Sequence, residues 1–247
     1  MQKLSVILLS KNRQHIIADC LSSLKFADEV IVVDDYSEDN TVNVCKKFGC
    51  RVFQNKFRDF EQQTNFALSK ARNEWVFWLD ADQIVSRDLE AGIKSALKDN
   101  LGFDAFEVKG QTIFLGKLTK FGGETCYLTR LFKKSKTRFE GKIHEHALVC
   151  GKVGKVGGVL LHYQYRDISE LFEKVNTYSS IEAKLLLEKG ERFNLLPLLL
   201  APIASFGYRY FLLLGFLDGY RGLVLAVGAF LYKFLMYAKL LDPNLKC

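Results

Sequence analysis

Along the first hundred residues, apolar runs alternate with segments of helical period. The stretch LSVILL at 4–9 is nearly continuous in apolar and β-branched residues, as a strand covered on both faces requires. Between 12 and 24, Ile16, Ile17, Cys20, Leu21 and Leu24 fall on one helical face. EVIVVD at 29–34 reads as a second strand. The helix predicted near 40–48 stops at Gly49, a residue suited to the left-handed turn that closes helices. RVF at 51–53 is a short third strand, and 60–72 a helix burying Phe60, Ala67, Leu68 and Ala71. WVFWLD at 75–80 is the fourth strand. A helix near 87–98 buries Leu89, Ile93 and Leu97, with Ser86 as its N-cap. Strands and helices alternating at this spacing predict βαβ units and a doubly wound sheet.

The pattern changes after residue 100. Short β-prone pieces at 103–108, 111–114, 126–132 and 158–163 predict added strands, some antiparallel, that extend the sheet and wall off a site. Asp167 with Glu170 three residues later resembles a capping box. It opens a helix whose apolar face carries Leu171, Phe172, Val175, Tyr178 and Leu185, and Gly190 ends that helix. From Phe193 onward the chain is strongly apolar, but Pro197, Pro202, Arg209, Asp218, Arg221, Lys233 and Lys239 interrupt it. A simple spanning helix needs roughly 20 predominantly apolar residues. These segments fit interfacial or re-entrant helices better, with a buried hairpin or an oligomer interface as the alternative. The expected division is therefore an α/β domain over 1–165 and a helical region over 166–247.

With 247 residues, 49% hydrophobic and 26% charged, the chain is long enough to bury a sizeable core and is not of disordered composition. Its net charge of +7 points to an acidic partner such as a phosphorylated substrate or anionic lipid. The basic residues are scattered and match no nucleic-acid motif, so no nucleic-acid partner is expected. The six cysteines form no CxxC pair and read as reduced, buried small hydrophobes in a cytosolic setting. The apolar run at 4–9 is short and is followed by Lys11 and Arg13, unlike a signal peptide, so the active domain is expected on the cytoplasmic side.

Open α/β sheets bind ligands at the carboxyl ends of their strands. Asp34-Asp35 lies at one predicted end and Asp80-Ala81-Asp82 at another. Two carboxylates converging there repel each other unless a cation neutralises them, and oxygen ligands suit Mg2+ or Mn2+ beside substrate phosphates. The first strand is followed by SKNRQ and not by GxGxxG, which disfavours a dinucleotide. The P-loop and the GxSxG elbow are also absent.

Several blocks, in order, carry a resemblance over nearly the whole chain. They are LSVILLSKN, ADEVIVVDDYSEDNTV, QQTNFALSKARNEWVFWLDADQ, RLFKKSKTRFEGKIHEHAL, LLHYQYRD and GFLDGYRG. The sequence resembles family 2 glycosyltransferases with the GT-A fold, a Rossmann-like mixed sheet with flanking helices. Within them it is most similar to bacterial lipopolysaccharide-core β-glucosyltransferases. It departs from the pattern at Asp35-Tyr36, where relatives often carry small residues.

The resemblance implies roles residue by residue. Ser10 and Asn12 would lie beside the nucleotide, and Asp34 or Asp35 would contact base or ribose, unless the pair caps the second helix. Gln63 and Asn65 would face the sugar-nucleotide pocket or else the helix surface. Asp82 would bind a Mn2+ or Mg2+ ion bridging the diphosphate, while Asp80 would hold the ribose or share the metal. His162, at the end of an apolar strand, is a third metal ligand or a core histidine. Glu145, between His144 and His146, is the first choice for the general base of an inverting displacement, with Glu124 the alternative. Glu145 could instead form an ion pair with Arg130 or Arg138. Lys133, Lys134, Lys136 and Arg138 would receive phosphates or remain solvated.

The implied function is transfer of a hexose from a nucleotide-diphosphate sugar, UDP-linked in the first instance, to a glycan or lipid-linked acceptor in lipopolysaccharide or cell-envelope synthesis. The enzyme would be peripheral to the inner membrane on its cytoplasmic side, and could form a homo-oligomer. A peptide or protein acceptor is the second reading, and a non-catalytic membrane scaffold the third.

Overall fold

In the computed structural model, which describes residues 2–99, 102–123, 125–141 and 145–242, the chain packs as two units. One comprises the residues up to Gly110 with Cys126–His162; the other comprises Gln111–Thr125 with the residues from Tyr163 onward.

The first unit is built from β1 (Leu4–Ser10), α1 (Ile17–Ser22), β2 (Glu29–Asp34), α2 (Thr41–Lys47), β3 (Arg51–Gln54), α3 (Phe60–Lys70), β4 (Trp75–Asp80), β5 (Gln83–Val85) and α4 (Arg87–Asp99). Strand β6 (Ala105–Phe114) starts in this unit and runs into the second, where it turns back on β7 (Lys117–Leu118). Strand β8 (Thr125–Lys133) returns the chain to the first unit, followed by β9 (Thr137–Glu140), β10 (His146–Val149) and β11 (Val153–His162). The sheet order is β3-β2-β1-β4-β8-β6-β11-β5, and β9 pairs separately with β10. Strands β3, β2, β1 and β4 are parallel, whereas β8 joins β4 antiparallel and β5 joins β11 antiparallel. The parallel part is the βαβ arrangement predicted from the alternating pattern.

Period-two alternation in the strands sorts the core into two layers. Val6, Leu8, Val32, Phe77 and Leu79 pack against Ile17, Cys20 and Leu21 of α1, Cys45 of α2, and Leu89, Ile93 and Leu97 of α4. On the other face Ile7, Ile31, Val33, Val76 and Trp78 meet Ala67 and Leu68 of α3 together with Phe139 of β9. The first helix is shorter than its apolar stripe predicts: residues 11–16 form turns and only Ile17–Ser22 is α-helical. The reason is local, because the backbone N–H groups of Asn12, Arg13 and Gln14 bond to side chains of the 37–41 loop and not within a helix. Ser86 caps α4 as expected, its hydroxyl accepting from Leu89 N–H at 3.2 Å. The pieces predicted at 103–108 and 111–114 are one strand, while β5, β9 and β10 are too short or too mixed to have been predicted. Of the cysteines, Cys20 and Cys45 are buried as expected, but Cys126 and Cys150 are exposed, and Cys247 lies outside the described residues. Cys126 occupies the exposed start of β8, and Cys150 the turn after β10.

The second unit holds the β6–β7 hairpin, α5 (Ile168–Glu188), α6 (Leu195–Gly207) and α7 (Tyr220–Ala238). Phe114, Leu171, Val175 and Leu225 form its core. Asp167 accepts from Glu170 N–H at 2.8 Å, so the predicted cap is present, and the Glu170 carboxylate accepts from Arg166 N–H at 2.8 Å. The turn between α6 and α7 is clasped from both sides. Asp218 accepts from the N–H groups of Lys120 and Phe121, and Arg221 donates to the carbonyls of Phe114 and Leu115. At the far end of α7, Lys239 donates to the Asn176 carbonyl and to the hydroxyls of Ser179 and Ser180 on α5. The segments Leu195–Leu212 and Tyr220–Leu241 are long and apolar enough to cross a membrane, and the first is almost entirely unburied within the chain.

Candidate active site

Register brings the acidic strand ends together. Ser10 of β1 pairs with Asp34 of β2, and Leu9 of β1 with Asp80 of β4, so the carboxyl ends of three parallel strands finish side by side. The strands added beyond β1 lie on opposite sides of it, which makes this end a topological switch point, where open α/β sheets take their ligands. The Ser10 hydroxyl is buried there without a hydrogen-bond partner among the described residues, an arrangement that a polar ligand would relieve.

The loops after β1 and β2 are fastened to each other. Asp34 is fully buried, and its carboxylate accepts from the backbone N–H and hydroxyl of Ser37. Ser37 in turn accepts from Asn12 N–H at 2.8 Å, and the Asn12 side chain accepts from Glu38 N–H at 2.9 Å. Asn12 and Tyr36 both adopt the left-handed region, at φ of 50° and 49°. That conformation is strained for non-glycine residues and is held here by the surrounding bonds. Asp35 accepts from Lys11 Nζ at 2.6 Å and from Phe57 N–H at 2.9 Å. Desolvation works against the Asp35 anion, but the Lys11 and Phe57 bonds outweigh it and hold the carboxyl below the usual carboxylate range. The Tyr36 ring beside it is exposed.

Gln63 and Asn65 of α3 are committed to the fold. The buried Gln63 amide exchanges hydrogen bonds with Asn55, whose own N–H bonds the Asp34 carbonyl. Asn65 bonds both the N–H and the carbonyl of Phe139, so it docks β9 as a strand neighbour would. Glu61 accepts from Gly141 N–H at 3.0 Å. Helix α3 thus clamps the β9 end of the segment that leads to Glu145.

At the end of β4 the two carboxylates diverge. Asp80 Oδ2 accepts from Gln83 Nε2 at 2.8 Å and from Arg130 Nη2 at 3.2 Å. Asp82 is buried, and its Oδ1 faces His162 Nε2 at 3.3 Å. That meeting depends on the antiparallel pairing of β5 with β11, which sets His162 opposite Gln83. Glu145 lies near Asp80 and Arg130. Burial, reinforced by the Asp80 charge, raises its carboxyl to about 7 against the partial opposition of Arg130. Glu124 and His144 lie outside the described residues. In the basic cluster, Lys133 pairs with Asp104, Lys134 caps α3 through the Ser69 and Ala71 carbonyls, and Arg138 pairs with Glu140.

The donors at Asp82 and His162 fit a divalent cation. Their 3.3 Å separation is close to the roughly 3 Å between adjacent ligands on an octahedral ion with bonds of about 2.1 Å. Among the described residues no cluster of three His, Cys, Asp or Glu is placed to hold an ion, so further ligands would be phosphate and water oxygens. The Asp80 oxygen already carries two donors and fits that role less well.

In the sequence Arg130 stands out only as an ion-pair partner for Glu145. It lies on β8, stacked on Trp78 with its guanidinium carbon 3.9 Å from the ring centroid. Its side chain is 6% exposed, and Nε and Nη1 are buried without hydrogen-bond partners among the described residues. The Asp80 bond contributes about 1.5–3 kcal/mol and the stacking about 1–2 kcal/mol, against a desolvation cost of several kcal/mol for a buried ion. A charge inside the apolar run LTRLF was the available signal.

The model of glycosyl transferase family 2 matches residues 5–151, more than half of the sequence. The chain belongs to this family. Across its whole length the glycosyltransferase is 30% identical to an uncharacterized glycosyltransferase of Rickettsia typhi, of which the alignment covers 89%. It is 26% identical to the lipopolysaccharide core biosynthesis glycosyltransferase LpsC of Rhizobium meliloti, over 96% of this chain and 91% of LpsC. The crystal structure of S. aureus TarS 1–349 in complex with UDP-GlcNAc superposes with a TM-score of 0.50 at 17% identity, covering 73% of this chain and 66% of that one. The fold is GT-A, as the resemblance implied.

Proposed function

We propose that this glycosyltransferase moves a hexosyl unit from a nucleotide-diphosphate sugar to a saccharide or lipid-linked acceptor of the cell envelope, with inversion at the anomeric carbon. The observation that carries the reading is the alignment of Ser10, Asp34 and Asp80 at adjacent strand ends, with Glu145 beside Asp80. Similarity to LpsC favours a lipopolysaccharide-core acceptor. UDP sugars are the first donors to assay, since TarS was crystallised with one.

In this reading the nucleoside lies over the 10–14 and 35–41 loops. The Ser10 hydroxyl, Asn12 and Asp35 supply polar contacts, and the exposed Tyr36 ring offers a face for the base. Asp34 and Gln63 hold those loops, Asn65 holds β9, and Asp80 accepts from donor hydroxyls. Mn2+ or Mg2+ held by Asp82 and His162 would stabilise charge on the departing diphosphate. The acceptor hydroxyl oxygen bonds to the anomeric carbon as the bond to the diphosphate breaks, the leaving group keeping the electron pair. Glu145 takes the hydroxyl proton. A carboxyl near 7 suits that task, being ionised in part at neutral pH yet basic enough to accept a proton.

In this reading the enzyme lies on the cytoplasmic face of the inner membrane and docks there through its second unit. Leu195, Leu196, Leu199, Leu200 and Ile203 of α6 are more than half exposed, as are Phe211 and Leu212 beyond it. Both ends of α7 are tied within the unit, by Arg221 and Lys239, so the helix pair lies along the interface more naturally than across it.

Calorimetry with nucleoside diphosphates and their sugars, with and without Mn2+, tests the reading on wild type and Asp82→Ala. Metal-dependent binding of one nucleotide class, lost in the variant, is expected. Absence of binding to every nucleotide by folded, detergent-supported protein would overturn it.

A further inference from the structure

We infer that Arg130 is a positioning residue of the donor site, one that acts through Asp80 and does not merely brace the sheet. The inference rests on the donor-site reading above. Strands β4 and β8 pair with Phe77 opposite Leu131, and one step along the same antiparallel register sets Trp78 opposite Arg130. Asp80 follows two residues after Trp78 and so shares its face. Arg130 therefore lies across the indole, at 3.9 Å from the ring centroid, and reaches the Asp80 carboxylate diagonally at 3.2 Å.

The two members of this ion pair are unequally placed. The Arg130 side chain is 6% exposed and the Asp80 side chain 38%, so the cation stands behind the carboxylate and the carboxylate faces the mouth of the site. Two further contacts fix Asp80: its Oδ2 accepts from Gln83 Nε2, and its N–H donates to Gln83 Oε1 at 3.0 Å. Asp80 is thus presented as an oriented, charge-compensated acceptor whose Oδ1, with no hydrogen bond among the described residues, is left to hydroxyl donors of a ligand.

Sheet stability does not account for this arginine. Nε and Nη1 are buried with no acceptor among the described residues, and a buried cation with unmatched donors is less favourable than an apolar side chain of similar volume. The stacked, planar guanidinium also explains why lysine would not serve as well. An ammonium lacks both the flat face and the fork that holds a carboxylate in one orientation.

The test uses the full chain and a double-mutant cycle. Arg130→Met, Arg130→Lys, Asp80→Asn and the Arg130→Met/Asp80→Asn pair are titrated calorimetrically with UDP and the other nucleoside diphosphates in Mn2+, and each is melted without ligand. Arg130→Met should melt within a few degrees of wild type, or higher, and bind nucleotide at least tenfold more weakly. Arg130→Lys should recover only part of that loss. In the Asp80→Asn background, Arg130→Met should change affinity less than threefold, because its route of action is already gone. Wild-type affinity in Arg130→Met, additive losses in the double variant, or a fall in melting temperature that tracks the loss of binding would each overturn the inference while leaving the donor site standing. Failure of wild type to bind any nucleoside diphosphate would overturn the donor site and the inference together.

Discussion

Asp82 Oδ1 and His162 Nε2 face each other at 3.3 Å, although eighty residues separate them in sequence. The pair is built by β5, a three-residue strand that turns the chain back immediately after Asp82 and lies against the end of β11.

If this pair holds the cation, removing either donor weakens the metal without unfolding the sheet. Asp82→Asn and His162→Ala should each lower Mn2+ affinity at least tenfold, read by electron paramagnetic resonance of free Mn2+ in the presence of nucleotide. Asp80→Asn should lower it less, since that carboxylate already faces Arg130 and Gln83. Equal losses at Asp80 and Asp82 would contradict this division.

If Glu145 is the general base, it sets a pH dependence whose sign follows from its shift. Burial raises the carboxyl to about 7, so the base form declines as pH falls through that value. The acidic limb of kcat/KM should drop about tenfold per pH unit below 7 and flatten above it. Glu145→Gln should cost roughly 100- to 10,000-fold in kcat with nucleotide affinity retained. A wild-type profile flat from pH 5 to 8 would assign the acid–base role elsewhere.

The exposed face of α6 should govern membrane binding without governing folding. Leu196, Leu200 and Ile203 are each more than half exposed, so glutamate at all three should leave the melting temperature within a few degrees. Co-sedimentation with vesicles containing anionic phospholipid should fall at least tenfold. Unchanged sedimentation would favour an oligomer interface on this face, detectable by analytical ultracentrifugation.

Gly222 in the GFLDGYRG block has a packing reason. A Cβ there would sit 1.8 Å from the Gly215 carbonyl oxygen, and backbone cannot yield as a side-chain tip can. Gly222→Ala should destabilise the protein by about 3 kcal/mol or more. Gly207→Ala, in the same helical region with open space around the position, should be neutral or stabilising by up to about 1 kcal/mol. Equal melting temperatures for the two variants would refute the clash.

The parallel half of the sheet and its strand ends are legible in the amino-acid pattern, because apolar period and breaker residues are local signals. LSVILL, EVIVVD and WVFWLD became β1, β2 and β4 within a residue, and the position of Ser10, Asp34 and Asp80 at their ends followed. What those groups touch is a matter of the folded arrangement. Asp34 spends its carboxylate on Ser37 and Asn65 its amide on Phe139, and Arg130 reaches Asp80 across an antiparallel register with no counterpart in local pattern. Phe114, Leu115, Lys120 and Phe121 join the second unit because Asp218 and Arg221 bond their backbone, a relation spanning about a hundred positions. Hydrophobic period records which face of an element is covered; partners between elements depend on register and loop closure, which it does not encode.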